Sequence, residues 1–448
     1  MLRVCFVGFS FLVLVSSVGA QSLFTLEDRA SRPASFGPES FGPDLVGAAE
    51  LYRIQVEPAL VASAPERLEI VLPDGRVLEA EQRRVRTYSP TWKSWSGSLR
   101  LAGRGEHAPG YIHLNYHGDS PPGSESLTGI LNLSSGEQYQ ISIVDGEHLL
   151  VRLADDNRPP SCGLDVSGRD LAADTGLGSG FEPRGAAPDA APDAAPLVGT
   201  AQIDVLAVYP KAVSGLSQLL TLQFFVQDSI SLANDVFDQS NVDAEYRLVG
   251  IEPLLQMSQP SSGVGASVGW MNDQGPGSEL AQLRTTFAAD MVALFVPASW
   301  NGTAGACAWA NIPEAPASPG ADWGIRGESG TFNERAFSAH RIGCGLNDLT
   351  FAHELGHNFG MRHETETAGS AAHLFSYGRG YDYNHFGVTF ASLMACHNPS
   401  GSTDIFAGVC NREPRFSDPT ARPATGTSDR DNARVARDQV GIFANFLP

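Results

Sequence analysis

His353-Glu354-Leu355-Gly356-His357-Asn358-Phe359-Gly360-Met361-Arg362-His363 places three imidazoles and a carboxylate in one short run. Residues four apart share a face of an α-helix, so His353 and His357 can present nitrogens to a single ion with Glu354 beside them. Gly360 supplies a position at which the chain can leave the helix in a conformation that a Cβ disfavours, which allows His363 to return as a third ligand. Three protein ligands leave a fourth position for water. Zinc lowers the pKa of such a water from roughly 15.7 to about 7, and Glu354 is placed to act as its base. The extended spacing with the glycine and third histidine is far more specific than a bare H-E-x-x-H.

The N-terminus reads as a secretory signal peptide. Arg3 precedes a mostly apolar run over 4–15, and the small residues Val18-Gly19-Ala20 predict cleavage after Ala20. No later stretch is apolar for long enough to span a bilayer. The mature protein is therefore expected to be secreted, without a membrane anchor, and monomeric. With 50 acidic against 30 basic residues the net charge is −20, which argues against nucleic acid as a partner. Signal removal would leave Cys162, Cys307, Cys344, Cys396 and Cys410, an odd number for an oxidising compartment. Of three possible ways to join the last four, the pairings local in sequence are Cys307 with Cys344 and Cys396 with Cys410.

Residues 21–170 read as a β-rich domain, with strand patterns at 51–56, 67–72 and 138–143 and turn signals at Pro73-Asp74-Gly75 and Asp145-Gly146. Residues 171–200 are rich in Ala, Pro and Asp and read as an exposed linker. Residues 201–448 alternate strands and helices. A strand is expected at 203–209, a helix at 216–237, a strand near 244–249, a helix near 278–287 and a strand at 291–296. The metal-run helix follows at about 348–359 with Asp348 as its N-cap, and a last helix covers about 431–446. The fold class is α+β with an α/β-type upper subdomain.

Downstream, Ser392-Leu393-Met394-Ala395 resembles the Met-turn of the metzincin zinc peptidases, in which the methionine forms an apolar floor beneath the metal. The strand at 203–209, Ala289-Asp290 before 291–296, Arg415-Phe416-Ser417-Asp418-Pro419 and Asp431-Asn432-Ala433-Arg434 resemble the reprolysin-type branch, which includes bacterial peptidyl-Asp metalloendopeptidases. Two departures stand out. Glu364 follows the third histidine where reprolysin-type enzymes usually carry Asp, and Cys396 stands where astacins and serralysins carry a tyrosine. The resemblance implies one catalytic Zn2+, protein or peptide substrates, and an N-terminal propeptide that inhibits its own enzyme. Arg158-Pro159-Pro160-Ser161-Cys162-Gly163 resembles a cysteine switch, in which the Cys162 thiolate takes the fourth position on zinc. His340, His373, His385 and His397 are given no metal role. Cleavage specificity, natural substrate, activation site and any structural Ca2+ stay open at this stage. The rival readings are a zinc-containing binding or adhesion protein without catalysis and a zinc hydrolase of non-peptide bonds.

Overall fold

A computed structural model describes residues 20–30, 48–102, 110–118, 125–144, 146–153, 200–257, 263–297, 307–314, 324–325, 331–363, 374–385, 388–395 and 412–446. The expected signal peptide and linker, each except for its final residue, lie outside the described residues. So do the 158–163 stretch with Cys162, and Glu364, Cys396 and Cys410.

The first half is a single sheet. Its strands are β1 (Gln21–Ser22), β2 (Phe24–Arg29), β3 (Ala48–Val56), β4 (Arg67–Val71), β5 (Val77–Ser89), β6 (Trp92–Leu101), β7 (Gly110–His117), β8 (Ser126–Asn132), β9 (Gln138–Val144) and β10 (Glu147–Leu153). They lie in the order β1-β4-β5-β6-β7-β8-β9-β10-β3-β2, and among these pairings only β1 with β4 is parallel. A short helix, α1 (Pro58–Ala62), links β3 to β4. The two turn signals hold: Gly75 and Gly146 adopt φ of 84° and 82°, open to glycine because it lacks a Cβ. Alternation along β7 gives its two faces different fates. Ile112 and Leu114 enter the first domain's own core. Tyr111, His113, Asn115 and His117 turn the other way and are buried nonetheless.

What covers that second face belongs to the other half of the chain. There, β11 (Ala201–Pro210), β12 (Ala244–Leu254), β13 (Met291–Val296), β14 (Ala308–Ala310) and β17 (Phe337–Arg341) form a sheet in the order β12-β11-β13-β17-β14, parallel except for β14. A small pair, β15 (Pro313–Glu314) and β16 (Gly324–Ile325), precedes β17. Helices α2 (Leu216–Gln239), α3 (Gly263–Asn272), α4 (Glu279–Thr286), α5 (Thr350–Asn358) and α6 (Asn432–Phe443) complete this half with the hairpin β18 (Asp382–His385) and β19 (Val388–Ala391). Every residue of β13 is buried, as a parallel strand covered on both faces requires. Val205 and Phe295 face a core shared with α2 and α5, whereas Leu206 and Leu294 face a second core with α3 and α4. Trp92, Tyr111 and Ile130 of the first domain join the α2 core, so apolar packing runs across both halves.

Helix ends differ from expectation in one instructive place. Ser278 caps α4 and Asp431 caps α6 through side-chain bonds to Ala281 N and Arg434 N. Asp348, expected to cap α5, does not. The N-cap position is Leu349 in the left-handed region (φ 57°), without a side-chain cap, while the Asp348 carbonyl accepts from Arg412 Nη1 at 2.7 Å. Cys307 and Cys344 are joined, with Cα atoms 5.3 Å apart, tying the approach to β14 to the turn after β17. Among the described residues no helix is long and apolar enough to cross a membrane.

Candidate metal centre

The sheet and α2 hold α5 in the interior, and all nine of its residues are buried. His353 and His357 lie one helical turn apart on it. The chain then leaves α5 through Gly360 at φ 88°, with Gly360 N donating to His357 O and Met361 N to Gly356 O. Arg362 next exchanges main-chain bonds with Gly378 and Gly380, which fixes His363 opposite the helix. His363 Nε2 lies 3.0 Å from His353 Nε2 and 3.1 Å from His357 Nε2.

Three imidazoles converging through the same nitrogen suit a cation. Ligand nitrogens about 2.05 Å from a tetrahedral zinc lie about 3.3 Å apart, so the observed spacings approach that of a ligand set. Two of the outer nitrogens are already committed. His353 Nδ1 bonds Leu393 O at 2.9 Å and His357 Nδ1 bonds Met361 O at 3.0 Å, which puts the proton on Nδ1 and turns the Nε2 lone pair inward. Burial, reinforced by the charge of Arg412, pushes the His353 imidazolium well below its ordinary pKa, leaving the ring neutral as a ligand must be. These three histidines could hold a metal ion. Glu354 is buried beside them on the same helix.

Met394 is wholly buried beneath α5. A Cβ built on Gly356 would stand 2.6 Å from its Sδ. Glycine at that position is therefore what allows the thioether to approach the helix between the two histidines. Sequence reasoning passed over Gly356, although a glycine inside a helix costs about 1 kcal/mol relative to alanine and so signals a packing demand. It also missed the carbonyls of Leu393 and Met361, since main-chain acceptors leave no trace in residue identity. His340 is a satisfied core histidine: it bonds Ser338 Oγ at 2.8 Å, and burial pushes its pKa down to about 3. His373 and His397 lie outside the described residues.

The first domain reaches this half mainly through α2. Asp235 accepts from Ser96 Oγ at 2.9 Å and Tyr111 Oη at 2.7 Å, with His113 Nδ1 at 3.3 Å. Burial alone would raise the Asp235 pKa, but these donors hold it below the usual carboxylate value. Asp228 accepts from Thr128 Oγ1, and His113 Nε2 bonds Ser231 Oγ. Just ahead of α5, Asn132 Nδ2 donates to the main-chain carbonyl of Asn347, and Asn347 Nδ2 donates to Asn132 Oδ1.

Comparison with known proteins points to metallopeptidases. The profile of Metallo-peptidase family M12B, Reprolysin-like, matches residues 225–364, a stretch that contains all three histidines. A protein of Xanthomonas campestris pv. campestris named peptidyl-Asp metalloendopeptidase is 25% identical over 412 residues, covering 88% of this chain and 85% of that protein. A protein of Pseudomonas aeruginosa with the same name is 25% identical over 255 residues, 55% of this chain and 40% of its own length. Among solved structures, a chaperone-substrate complex matches at TM-score 0.39 and 18% identity, covering 73% of this chain and 40% of that one. Metalloproteinase-II from Bacteroides fragilis matches at TM-score 0.33 and 9% identity, covering 69% and 85%; neither overlap is close enough to bear on the fold. Residues 225–364 thus match the reprolysin-like M12B metallopeptidases, and the chain is a metalloendopeptidase.

Proposed function

We propose that the protein is a secreted zinc endopeptidase made as a zymogen, with His353, His357 and His363 as zinc ligands and Glu354 as general base. The observation that carries this reading is the convergence of three Nε2 atoms around one point, with two of the rings fixed from behind by carbonyls. Zinc bound there supplies Lewis acidity toward the scissile carbonyl and toward a water. Glu354 takes the water's proton and passes it to the leaving amine. Met394 supports the helix from below, where a polar side chain would compete for the ligands. A non-catalytic binding protein would have no use for Glu354, and a structural site would normally close with a fourth protein ligand.

On this reading residues 21–170 are the propeptide and the 171–200 linker is where it is cut. The sheet's hold on α2 and on Asn347 supports a covering role for the first domain. Cys162 is the inhibitory fourth ligand, and Cys396–Cys410 a second disulfide. The names of the two relatives suggest cleavage beside aspartate, which would make Asp189 and Asp193 self-processing points. The test is digestion of a denatured protein by the linker-cut chain. Cleavage that stops with a chelator and returns with zinc is expected; chelator-insensitive cleavage contradicts the reading.

A further inference from the structure

We infer that Arg412 is a specificity-determining residue of this peptidase and that the cavity it lines takes an acidic side chain of the substrate next to the scissile bond. The inference rests on the peptidase reading above. Its starting point is the segment after the buried methionine. Glu413 N donates to Ala391 O and Leu393 N donates to Arg415 O, so residues 412–415 are strapped to the same turn whose Leu393 carbonyl holds His353. Arg412, bridged to Ala391, therefore stands beside the turn that holds a proposed metal ligand.

The charge of Arg412 is unusual in its surroundings. The residue is 6% exposed, and its guanidinium bonds main-chain carbonyls, Asp348 O at 2.7 Å and Ala395 O at 3.4 Å. No carboxylate among the described residues pairs with it. Its neighbour Arg415 is neutralised by Glu413 at 2.6 Å, and Glu413 also accepts from Tyr383. A buried cation without a counter-charge is costly unless carbonyl dipoles hold it and a ligand completes it.

Arg412 opens onto a cavity of about 240 Å3. Arg415 and Arg422 of the same half line it too, and Glu413 is the one acidic residue among its described lining. Such a concentration of guanidinium runs against the grain of a chain with net charge −20. Arg83, Tyr111, Asn132 and Leu133 of the first domain form part of its wall and would leave with that domain. Departure of that domain would open the cavity toward solvent beside the metal-site turn. A guanidinium recognises carboxylate through paired, charge-assisted hydrogen bonds, and the isosteric amide reproduces neither the charge nor both acceptors. The relatives' names, which specify aspartate, are in keeping with that chemistry.

The experiment uses the full chain, cut in the linker and loaded with zinc, on two quenched peptides that differ only as Asp against Asn beside the scissile bond. The readout is the Asp to Asn ratio of kcat/KM, in which a general loss of folded enzyme cancels. Arg412→Leu should lower that ratio by about 100-fold, and Arg412→Lys should restore part of it. A ratio unchanged in Arg412→Leu overturns the assignment, as does an equal loss on both peptides. Binding of the same peptides to Glu354→Ala, followed by fluorescence anisotropy, separates the two levels. If the wild-type chain cuts neither peptide, the peptidase reading fails on its own account. Equal binding of Asp and Asn peptides to Glu354→Ala then overturns the specificity assignment separately.

Discussion

The thioether of Met394 occupies the space that a side chain on Gly356 would need, its Sδ only 2.6 Å from where the Cβ would stand. The two residues are locked by size. Replacing glycine with alanine in a helix ordinarily gains about 1 kcal/mol, but here the new methyl must displace Met394 and the turn that anchors His353 through Leu393 O. Gly356→Ala is expected to leave global stability within about 2 kcal/mol of wild type while weakening zinc affinity by about 10-fold. Competition with a chromophoric chelator measures the affinity; an unchanged value would show that Met394 has no part in shaping the metal site.

A second expectation concerns the joint between the two halves. Asp235 receives its three donors from Ser96, Tyr111 and His113, all in the first domain. Because its folded pKa is depressed, the stabilisation it contributes is fully present above the unfolded carboxylate value of about 3.9 and is lost as pH falls through the lower folded value. Asp235→Ala should cost about 2–4 kcal/mol at pH 7 and progressively less below about pH 4. Urea melts at pH 7 and pH 3 check this. An equal cost at both would mean that the charge of Asp235 contributes nothing.

Latency supplies a third. If Cys162 blocks the fourth position on zinc, Cys162→Ala should give a precursor that activates early or is recovered in poor yield. Zymogram activity of the uncut variant against uncut wild type decides this, and identical latency in the two would remove Cys162 from the mechanism.

How much of this could be read from residues alone varied with the kind of contact. The metal face of α5 was legible because its logic is local: four-residue spacing, a glycine exit and a returning histidine. The strand at β13 and the turns at Gly75 and Gly146 were legible for the same reason. The polar sides of β7 and α2 were not. His113, Asn115 and His117 alternate with apolar residues, and Asp228, Ser231 and Asp235 sit off the apolar stripe of α2, so each pattern alone looks like a water-facing surface. The two surfaces instead satisfy one another. Periodicity tells apolar from polar, and it does not tell water from a polar partner distant in sequence. Nor could spacing reveal that Leu349 would take a left-handed conformation while Asp348 gives its carbonyl to Arg412.

The central claim is that zinc held by His353, His357 and His363 works with Glu354 to hydrolyse peptide bonds. The most direct measurement compares linker-cut wild type with Glu354→Gln on a denatured protein substrate, with bound zinc quantified in both by atomic absorption. One zinc per chain in each, with the rate in the variant lower by about 100-fold to 10,000-fold, is the result expected of a lost general base. Full activity in a zinc-loaded Glu354→Gln chain would contradict it.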